Sequence, residues 1–367
     1  MTLKVTETVY FPGLNGIRAI AALLVVCSHI SMGLGSLGFR GYHSIDMAGY
    51  GVTMFFVLSG YLITYLLLIE YEKNKQISYR KFYMRRILRI WPIYYLSILI
   101  ALACMYFFGQ RPDATGLFFY IFMMANVPFV FGGALSFVAQ LWSVGVEEQF
   151  YLFWPWLFKK RVHLLKIMLG IIILYMILRI VLRVTENGPF YTLLGLTRFH
   201  CMAIGGIGAL VVFEQRDILK YVYHPAVQIF CWIVVIVSLY QPFHIFSIID
   251  GELYALIFLV MIINVSTNPR SIIKLENKLL NWLGKISYGI YVYHMFAVAL
   301  VFALLKGRIN ISYLSMALIY AGVLGFTFVS AHISYSYIER FFLNLKHKFS
   351  MVKSGSLLSE QPLVLKK

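Results

Sequence analysis

The sequence predicts an all-α, polytopic membrane protein of about ten transmembrane helices with both termini cytoplasmic. Three observations carry this. Of 367 residues, 60% are hydrophobic and only 13% charged, where soluble domains run at roughly 45–50% and about 25%. Mean hydropathy is +0.79. Apolar runs long enough to cross about 30 Å of hydrocarbon, which takes about 20 helical residues, recur along the chain between charged, Pro and Asn/Asp clusters. Soluble, disordered and collagen-like classes are thereby excluded. The four cysteines, Cys27, Cys104, Cys201 and Cys231, sit inside apolar runs and read as small buried hydrophobes rather than a disulfide framework. Net charge is +17; in a soluble protein this would suggest nucleic acid, but here the positives lie between apolar segments as topology signals, so no nucleic-acid partner is expected.

The first span is expected over 16–35. Its opening stretch is short enough to resemble a secretory h-region ending at Cys27, but Val25 and Val26 are not small, Glu7 interrupts a basic leader, and the run continues past His29 to Leu34. It is therefore read as a retained helix. The next spans fall at 50–70, 90–109, 141–158, 163–183, 191–213, 222–240, 252–268, 284–305 and 312–337. An eleventh stretch, 116–138, is interrupted by Asn126, Pro128 and Gly132-Gly133. The positive-inside rule decides its fate. If it does not span, most of the 32 Lys and Arg face the cytoplasm: Lys4 and Arg18, the block from Lys73 to Arg89, Lys159/Lys160/Arg161/Lys166, Arg216 and Lys220, the group Arg270 to Lys285, and those from Arg340 onward. If it spans, the downstream groups invert. The segment is thus expected as an outer-leaflet hairpin or a surface-lying stretch. Residues 1–340 form one membrane domain and 341–367 a basic cytoplasmic tail.

Ionisable groups at membrane depth cost roughly 2.5–3.5 kcal/mol each and need a reason. Arg18 and His29 lie about three helical turns apart on one face of the first span, about 16 Å along its axis. That suits a long substrate with an anionic head at the cytoplasmic interface and a buried reactive end; an interfacial anchor and a packing histidine are the plainer reading. Glu147, in Trp142-Ser-Val-Gly-Val-Glu-Glu-Gln-Phe-Tyr151, falls at nearly the depth of His29. A carboxylate beside an imidazole would orient it as a general base, though a packing role is open. Ser59-Gly60 supplies a hydroxyl and permits close helix approach, an ordinary packing device in membranes. Arg85 and Arg89 share a helix face and form a fork for phosphate, or an anchor to lipid headgroups. Arg179, Arg183, Arg198 and His200 run against the charge trend and suit either acceptor binding or snorkelling. A metal site from His29, His200, His294 and Glu147 lacks short ligand spacing, and none is expected.

In this order the constellations resemble the acyltransferase-3 family of integral membrane acyltransferases. The carriers are Phe11-Pro-Gly-Leu-Asn-Gly-Ile-Arg18 closed by His29, then Phe55-Phe-Val-Leu-Ser-Gly-Tyr-Leu-Ile63 and Arg85 to Pro92. The Glu147 motif follows, and Leu283-Gly-Lys-Ile-Ser-Tyr-Gly-Ile-Tyr-Val-Tyr-His294 comes last. The resemblance implies ten spans in a cell (inner) membrane and acyl-CoA, commonly acetyl-CoA, as co-substrate with no permanently bound cofactor. It implies a hydroxyl acceptor on a glycan or its lipid-linked precursor, His29 as the essential histidine and Arg18 in donor binding. Some members carry an extracytoplasmic hydrolase-like domain, for which 367 residues leave no room, so direct acylation or a separate partner chain is expected. Gly145, where Ser or Ala is usual, reads as a change without chemical cost. Ser59, Arg85 and Arg89 complete the expected donor site, with Glu147 orienting His29; an acyl-imidazole intermediate is an alternative course. The rival from another class, a transporter or flippase of a lipid-linked sugar, would favour repeat symmetry that the sequence does not display.

Overall fold

The computed structural model describes residues 8–39, 47–241, 249–308, 311–349 and 353–354. Lys4, Glu7 and most of the expected tail lie outside the described residues. Among the described residues the chain forms sixteen helices. They are α1 (Leu14–Leu34), α2 (Met47–Asn74), α3 (Tyr79–Phe107), α4 (Ala114–Ile121), α5 (Asn126–Phe131), α6 (Trp142–Phe153), α7 (Leu164–Val184) and α8 (Gly188–Thr197). Then come α9 (Phe199–Phe213), α10 (Leu219–Val222), α11 (Pro225–Tyr240), α12 (Asp250–Thr267), α13 (Lys278–Lys285), α14 (Ser287–Leu305), α15 (Tyr313–Ser334) and α16 (Arg340–Lys346).

Eight helical stretches among the described residues are long and apolar enough to cross a bilayer. One of them, Ala139–Val184, holds two of the expected spans; its helix is broken at Lys160, whose backbone is non-helical. Pro225–Tyr240 is shorter but apolar, and Pro225 opens it where a missing N–H costs nothing. All ten expected apolar segments therefore coincide with helix. The stretch 116–138 instead holds two helices of 8 and 6 residues. At 1.5 Å per residue, neither covers more than about 12 Å. Neither is long enough to cross a bilayer, as expected of a segment that does not span.

Large apolar side chains stay exposed along α7, α11 and α15, among them Ile173, Ile177, Ile229, Ile233, Leu318 and Val329. Such a surface is stable against lipid and not against water. The chain is a multi-pass, all-α membrane protein.

At the centre, α2 crosses α9 closely because both present glycine at the contact. A Cβ at Gly60 would lie 2.0 Å from the Met202 carbonyl oxygen, and one at Gly205 would lie 2.1 Å from that of Val57. Helix α1 is buried on two sides. Leu14, Ile17, Ala21 and Val25 join the main core with α2, while Ala19, Ala22, Val26 and Ile30 join a second cluster with α14 and α15. A helix apolar nearly all round is an interior one, so its two ionisable residues, Arg18 and His29, are held inside the bundle. A two-residue parallel pairing of Thr8–Val9 with Lys353–Ser354 brings the two ends of the described chain together.

Candidate active site

Helix α1 begins at a fixed point. Glu276, just before α13, accepts hydrogen bonds from the Gly13 N–H, the Tyr10 hydroxyl and Asn281 Nδ2. Gly13 supplies the left-handed backbone (φ 71°) that turns the chain into the helix. Burial pushes the Glu276 carboxyl up, but these donors, with Lys285 nearby, outweigh it and leave the group below its ordinary range.

One turn into α1, Arg18 enters a cavity of about 220 Å³ between α1, α2, α3, α6 and α14. Arg86, Arg89 and Lys346 line it with Arg18. Arg18 Nη1 donates to Asn15 Oδ1 (3.4 Å). The Arg86 guanidinium lies over the Tyr151 ring, 5.7 Å from its centroid, and its Nε has no hydrogen-bond partner among the described residues. Much of the remaining wall is apolar and includes Val52, Phe55, Leu62 and Ile63. On the same wall Glu147 accepts hydrogen bonds from Ser59 Oγ (2.7 Å) and the Tyr151 hydroxyl (3.2 Å). Glu148, about 100° further round α6, accepts instead from Trp91 Nε1 (2.9 Å). It lines a separate lateral cleft of about 320 Å³ that shares only Arg86 and Tyr151 with the first cavity.

Of the six residues expected to form the site, the structure brings together Arg18, Arg89, Ser59 and Glu147. Arg85 is not on the cavity wall. Its Nη2 pairs at 3.0 Å with the buried carboxylate of Glu70, and its Nη1 donates to the Phe349 carbonyl (3.0 Å). Arg86 takes the place expected of Arg85. It stands three residues from Arg89 and so shares a face with it as well, which is the signal that spacing offered.

His29 is not on the cavity wall either; the ring that packs against it is that of His294. The two rings lie 5.0 Å apart between centroids, with His294 Nε2 3.2 Å from His29 Nδ1. Tyr291, which lines the cavity, neighbours the His294 ring at 5.8 Å. The order is cation cluster, cavity, Tyr291, histidine pair.

Arg179 and Arg198, for which acceptor binding and snorkelling were both open, have partners inside the protein. Arg179 pairs with Glu252, whose Oε1 lies 3.7 Å from His200 Nε2. Arg198 donates to Thr53 Oγ1 (2.6 Å) and the Gly49 carbonyl (3.1 Å). Arg183 is exposed. Gly145 sits at a close contact: a Cβ there would lie 2.8 Å from the Met123 carbonyl oxygen, because the segment joining α4 and α5 packs on α6 at that point.

A bundle built from apolar helices around a basic, half-apolar cavity defines an integral membrane protein with a polar site inside its helices. The chain belongs to the acyltransferase-3 family, whose model, described as an acyltransferase domain, matches residues 11–335. It is 30% identical over 364 residues to peptidoglycan O-acetyltransferase OatA of Listeria monocytogenes, covering 90% of this chain and 55% of that protein. YrhL of Bacillus subtilis, which carries the same activity in its name, is 31% identical over 317 residues, covering 78% of this chain and 48% of its own length. A Staphylococcus aureus protein with O-acetyltransferase in its name is 27% identical over 358 residues. The chain thus spans about half the length of these relatives. No solved structure matches it.

Proposed function

We propose that the protein transfers an acyl group, most simply acetyl, from an acyl-CoA to a hydroxyl of a glycan, with peptidoglycan or its lipid-linked precursor as acceptor and the cell membrane as its location. The observation that carries this is the convergence of Arg18, Arg86 and Arg89 on one side of an otherwise largely apolar cavity. Like charges grouped at membrane depth are costly alone and favourable around a polyanion. CoA offers a diphosphate and a 3′-phosphate for such a cluster and a slender uncharged arm for the apolar wall. The arm is directed along the cavity toward Phe55 and Tyr291, whose rings lie 6.1 Å apart, and must part them to bring the thioester to His29.

There the acceptor hydroxyl gives its proton to His29 as its oxygen bonds the thioester carbonyl carbon. The C–S bond then breaks and the CoA thiolate leaves with that proton. Glu147, held by Ser59 and Tyr151, shapes the donor side of the channel.

The test is thiol release by protein purified in nanodiscs, given acetyl-CoA and a muropeptide or lipid-linked glycan. Release that depends on the acceptor and is lost in His29→Ala supports the reading. CoA release equal in both proteins, or none with any glycan, overturns it, and the latter result is the one a transporter would give.

A further inference from the structure

We propose that Phe55 and Tyr291 form a gate between the donor cavity and the histidine pair, with Tyr291 its fixed leaf and the Phe55 ring its moving one, and that this gate selects the donor's acyl group by cross-section rather than by length. This rests on the reading of the cavity as the acyl-CoA site. Both rings line the cavity. They meet edge to face, with centroids 6.1 Å apart and planes at 78°. Behind them stand the histidines. The Tyr291 ring lies 5.8 Å from that of His294. Phe55 packs on the second core cluster, whose Val26, Ile30, Ile290 and Ala297 lie within about a turn of His29 or His294.

The two leaves differ in how they are held. Tyr291 is buried, and its hydroxyl donates to the Gln140 carbonyl (2.8 Å) and shares a hydrogen bond with Ser143 Oγ (2.6 Å). Swinging it aside would strand buried polar atoms. Phe55 is half-buried, and a phenyl ring has no polar atom to strand. Its backbone cannot give way instead. One turn earlier, a Cβ at Gly51 would lie 2.5 Å from the Ala21 carbonyl oxygen, so α2 already rests on α1. Opening is therefore a rotation of the Phe55 side chain between rotamers. The part of CoA that must pass is an unbranched chain ending in sulfur; its geminal methyl groups lie at the other end, beside the diphosphate, and stay in the cavity. A straight acyl chain continues that arm at the same width whatever its length. A branch next to the carbonyl widens it by a methyl group.

The experiment compares acetyl-CoA, butanoyl-CoA and 2-methylpropanoyl-CoA as donors to a muropeptide, with the protein in nanodiscs. The last two are isomers that differ only in branching. In the wild type, kcat/KM should favour butanoyl over its branched isomer by about 10–200-fold, the range that one misplaced methyl group commands in a tight apolar passage. Phe55→Ala should cut that preference to about threefold or less while the butanoyl-to-acetyl ratio changes less than about twofold. Phe55→Leu, which keeps more of the packing, should fall between, and Tyr291→Phe, which frees the fixed leaf, should relax the preference partway. Equal use of the two isomers by the wild type, or a preference unchanged in folded Phe55→Ala or Phe55→Leu protein, overturns the proposal. So does a butanoyl-to-acetyl ratio that moves along with the preference, since Phe55 would then be a wall of the acyl pocket. A wild type that transfers from none of the thioesters rejects the acyl-CoA reading itself, and the gate with it.

Discussion

Arg85 and Arg86 are neighbours in sequence with opposite duties, and that separation yields a sharp expectation. Arg85→Ala strips the counter-ion from Glu70, a buried carboxylate that also accepts from the Ser78 N–H (2.8 Å). It should lower stability by about 3–5 kcal/mol, as an orphaned buried charge does, measured by unfolding in detergent. Arg86→Ala removes a cation from the cavity and leaves that pair whole. Its unfolding midpoint should stay close to wild type, while CoA affinity by calorimetry drops about tenfold and loses part of its salt dependence. Similar affinity losses in a folded Arg85→Ala protein would reverse the assignment. Glu276 gives an expectation in pH. Its native carboxyl is lowered, so its contribution is complete above the unfolded value near 4.3 and is lost as pH falls through the lower native value. The thermal midpoint of the wild type should fall across that acid window, and Glu276→Gln should flatten that part of the curve.

At the scale of elements, close approach is the recurring device. Gly60 and Gly205 let α2 and α9 touch through backbone, and Gly145 lets the segment joining α4 and α5 rest on α6. A methyl at Gly145 meets a carbonyl oxygen, not a flexible side chain. Gly145→Ala should therefore cost about 1–3 kcal/mol, the usual penalty for overpacking, read as a lower unfolding midpoint in detergent. A midpoint equal to wild type would mean that the segment can lift away freely. The elements also explain which expectations about spans were legible. Apolar runs and their breaks are local properties, and every one of the ten maps onto helix. The kink at Lys160 falls in the charged gap between two expected spans, whereas the left-handed break at Arg198, inside the expected span 191–213, carries no hydropathy signature and did not show.

For the whole molecule, the cations of the cavity, the end of α16 and the paired chain ends gather at one face, while the Arg179–Glu252 pair lies late in α7, some 22 Å along its axis from its start at Leu164. With Lys159 and Lys160 before α7 and Glu186 after it, the positive-inside rule places the former in the cytoplasm. A cysteine at Lys159 should be labelled by an impermeant maleimide only in inverted vesicles, and one at Glu186 only in intact cells. The reverse pattern would put the basic cavity on the wrong side for the CoA proposed to enter it.

Hydropathy and helical period determined by themselves that the protein is a helical membrane bundle, and that Arg18 and His29 share a helix face. They did so because both properties depend on residues within a few turns of one another. Tertiary packing alone decided that Arg86 rather than Arg85 meets the cavity, that Lys346 joins it, and that His29 is partnered by His294, 265 residues away. The rotation of each helix about its own axis is set by the neighbours it packs against, and a turn of about 100° per residue is enough to exchange one arginine for the next.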